Sequence, residues 1–321
     1  MTEHTVVVSD HDFEELSIER DVLDGIATVR DAGGDVDAEA DVDDRLVDAD
    51  AVLNLRYGID ADLIDRFDDC RVIARYGIGV DNIDVDAATS TGMYVTNVPD
   101  YCQEEVATHT IALVLSATRG ITRYDVSVAD GEWSRDAAPP IRRLSTRTIG
   151  IVGFGAIGRA VAERARAFGF DVVTSDPFVD EATAVAHNAE LVEFETLLDR
   201  ADVVTIHSPL TAGTRGMVDE EAFERMHEDA LLVNVARGPI VDGDALRAAL
   251  ERDAIGGAAL DVFPEEPPDT DDPLRTDDRV ITTPHVAWYS EEANDERRRI
   301  AAENVRAVLK GDRPEHAVND L

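Results

Sequence analysis

Lysine is almost missing from this chain. Among 321 residues Lys310 is the only one, so arginine supplies the other 29 of the 30 basic side chains. Only two cysteines occur, Cys70 and Cys102, too few for a disulfide framework or a cysteine-built zinc site. Both are read as small core residues in a reducing compartment. No apolar run approaches the ~18 residues that a membrane-spanning helix needs, so none is expected. Met1 through Asp10 contain neither a basic patch nor a long apolar stretch, and a secretory leader is not expected either. Internal repeats and low-complexity tracts are absent, which excludes a solenoid.

What the chain has in excess is acid. Sixty-eight acidic side chains, 43 Asp and 25 Glu, oppose 30 basic ones and leave a formal charge of −38. Such a surface repels phosphate backbones and anionic lipid, so direct nucleic-acid and membrane partners are excluded. The acids are spread along the whole chain rather than gathered in a tail. At about 1 M salt the Debye length falls to about 3 Å, and most of this self-repulsion is screened. The composition therefore reads as that of a salt-adapted, halophilic and cytoplasmic protein, and it resembles haloarchaeal usage. With 44% apolar residues, the length is sufficient for two buried cores.

Short apolar runs alternate with helical stretches, the pattern of parallel sheets with crossover helices. Strands are expected at 5–9, 26–29, 51–55, 72–76 and 94–98, before the Asn97-Val98-Pro99 break. A helix is expected over 104–119, and a loop over 130–145 leads to a second series of strands. These fall at 148–153, 171–175, 203–208, 231–236, 257–263 and 280–284, and a last helix runs over 290–309. The reading is α/β, with two doubly wound parallel-sheet units joined near residues 97–102.

The first of the later strands runs into Gly153-Phe154-Gly155-Ala156-Ile157-Gly158, with a helix over 159–168. Asp176, at the end of the next strand, follows the third glycine by eighteen residues. A glycine triplet alone is weak, but a strand, a helix and a spaced acid together form a dinucleotide site. Gly153 permits the tight turn, Gly155 lets pyrophosphate approach the backbone, and Gly158 lets the helix pack close to the sheet. The amides of Ala156 and Ile157 then meet phosphate at a helix N-terminus. Asp176 accepts ribose hydroxyls and repels a 2′-phosphate, which favours NAD over NADP.

Three more strand ends carry reactive side chains. Asn234-Val235-Ala236 leads to Arg237-Gly238, Leu260-Asp261-Val262-Phe263 leads to Pro264-Glu265-Glu266-Pro267, and Thr283-Pro284 leads to His285. An arginine, a carboxylate and a histidine beside a dinucleotide suit hydride transfer at a 2-oxo or 2-hydroxy acid. The guanidinium fork holds a carboxylate, and the imidazole exchanges a proton with the developing alkoxide. A carboxylate paired to that imidazole favours its charged form. Of the other histidines, His4, His11, His187, His227 and His316 lie in polar stretches and are read as solvated. His109 is read as packed within its helix.

On these motifs the chain resembles the D-isomer-specific 2-hydroxyacid dehydrogenase family over nearly its full length. The resemblance implies Arg237, Glu266 and His285 as catalytic residues, with His285 the proton donor and no metal. It implies that Asp261 holds the nicotinamide carboxamide, and that His207-Ser208-Pro209 lines the cofactor along with Val235 and Ala236. It implies a Rossmann NAD-binding domain over 102–288, inserted into a flavodoxin-like substrate domain made of 1–101 and 289–321. There Arg75, Ile78 and Gly79 would meet the substrate carboxylate. Trp288, in His285-Val286-Ala287-Trp288-Tyr289-Ser290, is similar to the branch of the C-terminal-binding proteins and would stand at the distal end of the substrate. An indole there disfavours a phosphorylated substrate. The implied protein is a homodimeric NAD-dependent oxidoreductase acting on a small 2-oxo or 2-hydroxy acid. The alternatives are an NAD(H)-sensing corepressor-like binding protein and a phosphoglycerate dehydrogenase.

Overall fold

The computed structural model describes residues 4–33 and 39–321. The chain divides into two compact units, Met1–Tyr101 with Ser290–Leu321, and Cys102–Tyr289. Tyr289 falls with the second unit, one residue later than expected. Its amide donates to the Val286 carbonyl at 2.9 Å, and its ring packs edge-on against Trp288.

The first unit holds β1 (His4–Val8), β2 (Ala27–Asp31), β3 (Ala51–Asn54), β4 (Val72–Arg75) and β5 (Tyr94–Thr96). All pairings are parallel, in the order β2-β1-β3-β4-β5 of flavodoxin-like sheets. Helices cover the sheet, so central strands such as Ala51-Val52-Leu53-Asn54 are buried on both faces and read as continuous apolar runs. Ligands in this fold enter the crevice where the order reverses, here between β1 and β3. Asp10 already fills that place. Its carboxylate accepts from the amides of Leu55, Arg56 and Tyr57 at 3.0, 2.6 and 3.2 Å.

The helix Glu291–Leu309 completes this unit. Ser290 caps it, its Oγ accepting from the Ala293 amide at 3.0 Å. Arg298 is buried in a fork on Glu19, with Nε–Oε1 2.9 Å and Nη2–Oε2 2.8 Å, and lies 4.0 Å over the Phe13 ring. Asn319 adds a tie to β5, accepting from the Val95 amide at 2.8 Å.

The second unit holds β6 (Thr148–Val152), β7 (Asp171–Ser175), β8 (Glu190–Leu191), β9 (Val203–Ile206), β10 (Leu231–Asn234), β11 (Gly257–Leu260) and β12 (Val280–Thr282). Its order, β12-β11-β10-β9-β6-β7-β8, is wholly parallel and reverses between β6 and β9, as in Rossmann sheets. The core packs Leu197, Val204, Phe223, Leu232, Ile240 and Leu250 against this sheet. A helix absent from the sequence reading, Ile121–Ala129, follows the helix Gln103–Arg119. No helix among the described residues is long and apolar enough to cross a membrane.

Candidate active site

The expected site residues of the second unit follow the C-terminal ends of its strands. The chain turns at Gly153, whose φ of 89° lies in the left-handed region. The His207 amide donates to the Val152 carbonyl at 2.7 Å, which draws the loop after β9 against this turn. A β-carbon on Gly153 would come within 2.7 Å of Ser208 Oγ and 2.8 Å of the His207 backbone. One on Gly158 would overlap the Gly153 carbonyl, so the helix Ala156–Ala167 starts this close to the turn only with glycine. Gly155 is different: a β-carbon there would meet nothing within 4 Å, and no side chain caps the helix it opens. The orphan amides at Ala156 and Ile157, the positive helix end and the open face at Gly155 fit a pyrophosphate group.

Asp176 follows β7 directly and is half-buried. Its Oδ2 accepts from the Phe154 amide at 2.7 Å and its Oδ1 from the Phe178 amide at 2.9 Å. The acid expected to meet ribose therefore also pins the glycine turn. His207 lies behind the turn with Nε2 3.0 Å from Thr205 Oγ1. Burial pushes its imidazole down to about 3, so the ring stays neutral. Ser208 is half-buried and Pro209 exposed.

After β10, Asn234 closes a tight loop. Its Nδ2 donates to the Arg237 carbonyl at 2.9 Å, and its Oδ1 accepts from the Ala236 amide at 3.0 Å. Val235 is buried within this loop, and Arg237 leaves it half-buried with Nη1 donating to the Ala236 carbonyl at 2.8 Å. A β-carbon on Gly238 would overlap the Phe263 carbonyl, so the loops after β10 and β11 touch. That contact brings Arg237 towards Glu266. Glu266 accepts from the Phe263 amide at 3.0 Å through Oε1 and meets His285 Nδ1 at 2.6 Å through Oε2. Burial alone would raise the Glu266 pKa. The hydrogen bond and charge of His285, the Phe263 amide and the Arg237 charge outweigh it, and the carboxyl falls below its usual range.

His285 has a φ of 53°, a conformation unusual for a bulky residue and costing about 1–3 kcal/mol. Asp261 holds it there. The His285 amide donates to the Asp261 carbonyl at 2.8 Å. The Asp261 carboxylate accepts from Thr283 Oγ1 at 2.6 Å and from the amides of Val286 and Ala287 at 2.9 Å each. Trp288 closes the turn, its Nε1 donating to the His285 carbonyl at 2.9 Å. The Asp261 side chain, with 0% exposure and three donors, therefore anchors the histidine turn.

Two further residues belong to this arrangement. His109 Nε2 lies 3.1 Å from Thr283 Oγ1 and 3.8 Å from Asp261 Oδ1. It thus stands behind the turn, more than the bland packing read from its helix. Asn234 is the other, a loop-closing amide next to Arg237. Among the described residues no cluster of three or more His, Cys, Asp or Glu could hold a metal.

In the first unit, Arg75 ends β4 and its Nε donates to Asn82 Oδ1 at 3.3 Å. Asn82 Nδ2 in turn reaches Asn54 Oδ1 at 2.7 Å, and Asn97 Nδ2 holds the Ile78 carbonyl at 2.7 Å. The loop 75–84 is thus fixed by side-chain amides, with Gly79 between these anchors.

Residues 111–287 match the family profile described as D-isomer specific 2-hydroxyacid dehydrogenase, NAD binding domain. That match covers more than half of the chain. The chain belongs to the D-isomer-specific 2-hydroxyacid dehydrogenase family. Among members of this family, the D-3-phosphoglycerate dehydrogenase of Methanocaldococcus jannaschii is 42% identical over 86% of this chain and 53% of its own length. The chain thus spans about half the length of the phosphoglycerate dehydrogenases it matches. The glyoxylate reductase of Thermofilum pendens is 39% identical over 85% of this chain and 82% of its own. A D-lactate dehydrogenase from Aquifex aeolicus, solved with NAD and lactic acid, superposes with a TM-score of 0.88 at 28% identity, covering 99% of both chains.

Proposed function

We propose that this protein is an NAD-dependent dehydrogenase interconverting a small 2-oxo acid and its D-2-hydroxy acid. The observation that carries the reading is the His285–Glu266 pair at 2.6 Å, held in a strained turn at the ligand-binding edge of a sheet with an open glycine turn. Bound nicotinamide supplies or accepts the hydride at C2. Glu266 takes Nδ1 of His285, which leaves Nε2 to give a proton to the substrate oxygen as the carbonyl becomes a hydroxyl. Arg237 supplies a guanidinium fork for the acid's carboxylate and carbonyl. The glycine turn and Asp176 take the dinucleotide, and the acid favours NAD over NADP.

Trp288 next to His285 favours an unphosphorylated acid, since phosphate would call for a basic side chain there. The protein acts as a cytoplasmic homodimer. An apolar arm supports the dimer: Val126 and Val128 are more than half exposed and Trp133 is 92% exposed.

The test is turnover in concentrated KCl, followed by NADH absorbance against 2-oxo acids with and without a phosphate. His285→Ala should lose ~10²–10⁴ in rate while NADH binding is nearly intact, because the glycine turn and Asp176 are untouched. Wild-type NADH binding without turnover on any acid would favour an NAD(H)-sensing protein instead. Near wild-type reduction by His285→Ala would remove the proton assignment.

A further inference from the structure

A cavity of about 430 Å³ opens in the second unit, away from the loops just described. Leu231 and Gly257 in its lining begin β10 and β11, Arg279 immediately precedes β12, and Arg147 immediately precedes β6. The strands are parallel, so this is the N-terminal edge of the sheet, and the glycine turn and His285 lie at the other. The charges lining it are Arg123, Arg142, Arg147 and Arg279 against Asp229 and Asp278. Four arginines at one cavity are a local concentration of cation on a chain of −38.

Three of the four arginines have acceptors. Arg142 pairs with Asp229 at 2.6 Å, Arg279 with Asp277 at 2.6 Å and Asp253 at 3.0 Å, and Arg123 Nε donates to the Asp278 carbonyl at 3.0 Å. Arg147 does not. It is 8% exposed, its Nε has no hydrogen-bond partner, and among the described residues no carboxylate pairs with it. A guanidinium cannot shed its proton to escape burial, so an unpaired one is costly unless an anion meets it. Pro139, Pro140, Ile141 and Ile281 line the remaining wall, which suits a small apolar body behind the charged head.

We propose that this cavity is a second anion site, in which Arg147 binds the carboxylate or phosphate head of a small organic acid or a free phosphate ion. The planar fork of Arg147 matches either oxyanion in two hydrogen bonds. The strands that begin at the cavity are those that lead to Arg237, Glu266 and His285 at the other edge.

The test uses the full chain at the lowest KCl that keeps it folded, with ionic strength held constant. Inorganic phosphate and a short-chain carboxylate are titrated separately by calorimetry, each with and without saturating NAD. Saturable binding that persists with NAD is expected, and the tighter of the two probes identifies the head group. Arg147→Gln should weaken it at least tenfold. Should that variant fail to fold, Asp229→Asn provides the second arm: it removes a repelling carboxylate, releases Arg142, and should tighten binding severalfold. Binding abolished by NAD would place the anion at the glycine turn and overturn the proposal. So would equal affinity in wild type and Arg147→Gln, or an Asp229→Asn protein with no gain.

Discussion

Asp261→Asn isolates what the histidine turn is worth. The buried carboxylate accepts from Thr283 Oγ1, Val286 N and Ala287 N, and the substitution replaces one of its oxygens with a donor. At least one of these donors then faces another donor, in a place where Ala287 is only 4% exposed. Leaving one buried donor unsatisfied costs about 1–3 kcal/mol. The His285 backbone itself stores about 1–3 kcal/mol at its φ of 53°, so the lost restraint is of the same size as the strain it opposes. At a midpoint of about 2 kcal/mol, with about 1.4 kcal/mol per decade, the population with His285 in place falls up to ~30-fold. The expected result is a kcat lower by one to one and a half decades, a reduced melting temperature, and an NADH dissociation constant within about threefold of wild type. Stopped-flow reduction at saturating substrate, a thermal melt and a fluorescence titration of NADH read the three. A variant that melts lower but turns over at the wild-type rate would refute the coupling between this carboxylate and the histidine. A large loss of NADH affinity would instead put Asp261 in contact with the cofactor.

Glu266→Gln keeps the shape of the pair and removes its charge. Nδ1 of His285 then loses its ionic acceptor, so kcat for reduction should fall while NADH affinity stays near wild type. Because the folded-state value of Glu266 is depressed, its stabilising share is fully present at neutral pH and is lost as pH falls through that value. Melting curves of wild type and Glu266→Gln should therefore converge in acid and separate above it; a constant gap would contradict this. Asp176→Ala should narrow the preference for NADH over NADPH, and should also lower the melting temperature, since the Phe154 and Phe178 amides lose their acceptor. Unchanged selectivity would show that the acid does not decide it. With −38 charges to screen, folding and activity should fade as KCl is diluted from multimolar levels, and a melt insensitive to that dilution would rule out the salt-adapted reading.

The parts of this protein that were legible in its sequence are those dictated by backbone sterics and period. Gly153 and Gly158 announce a turn that no β-carbon fits, and buried parallel strands announce themselves as apolar runs. Strand ends are less legible: apolar residues resume at Val262 and Phe263 after Asp261, yet ladder pairing stops at Leu260, where the chain leaves the sheet. β8, two residues with an exposed glutamate, carries no period at all. The support of His285 was illegible for another reason. His109 and Thr283 meet across 174 residues, and nothing local in either marks the other. In the sequence His4 and His11 look solvated, yet His11 stacks on Phe13 at 4.6 Å and binds Asp31 at 3.1 Å, and His4 pairs with Asp50 at 3.0 Å. An isolated histidine among acids looks wet until the tertiary partner is known. The helix 121–129 buries none of its residues, so no core-facing stripe betrays it.

The first unit is closed by a helix that follows the inserted unit, and this sets an order of events during synthesis. The pocket that receives Arg298 exists as soon as Glu19, Phe13 and Tyr76 have left the ribosome, but Arg298 itself follows only after the inserted unit. At about 5–20 residues per second, the first 101 residues wait roughly 10–45 s for the helix that covers them. During that interval Glu19 has no guanidinium, Val95 lacks its Asn319 partner, and the apolar wall meant for the last helix faces solvent. The inserted unit has all its strands and can fold meanwhile. Acid spread over the waiting segment serves a purpose before any fold exists, keeping an incomplete sheet from pairing with its neighbours on the same polysome.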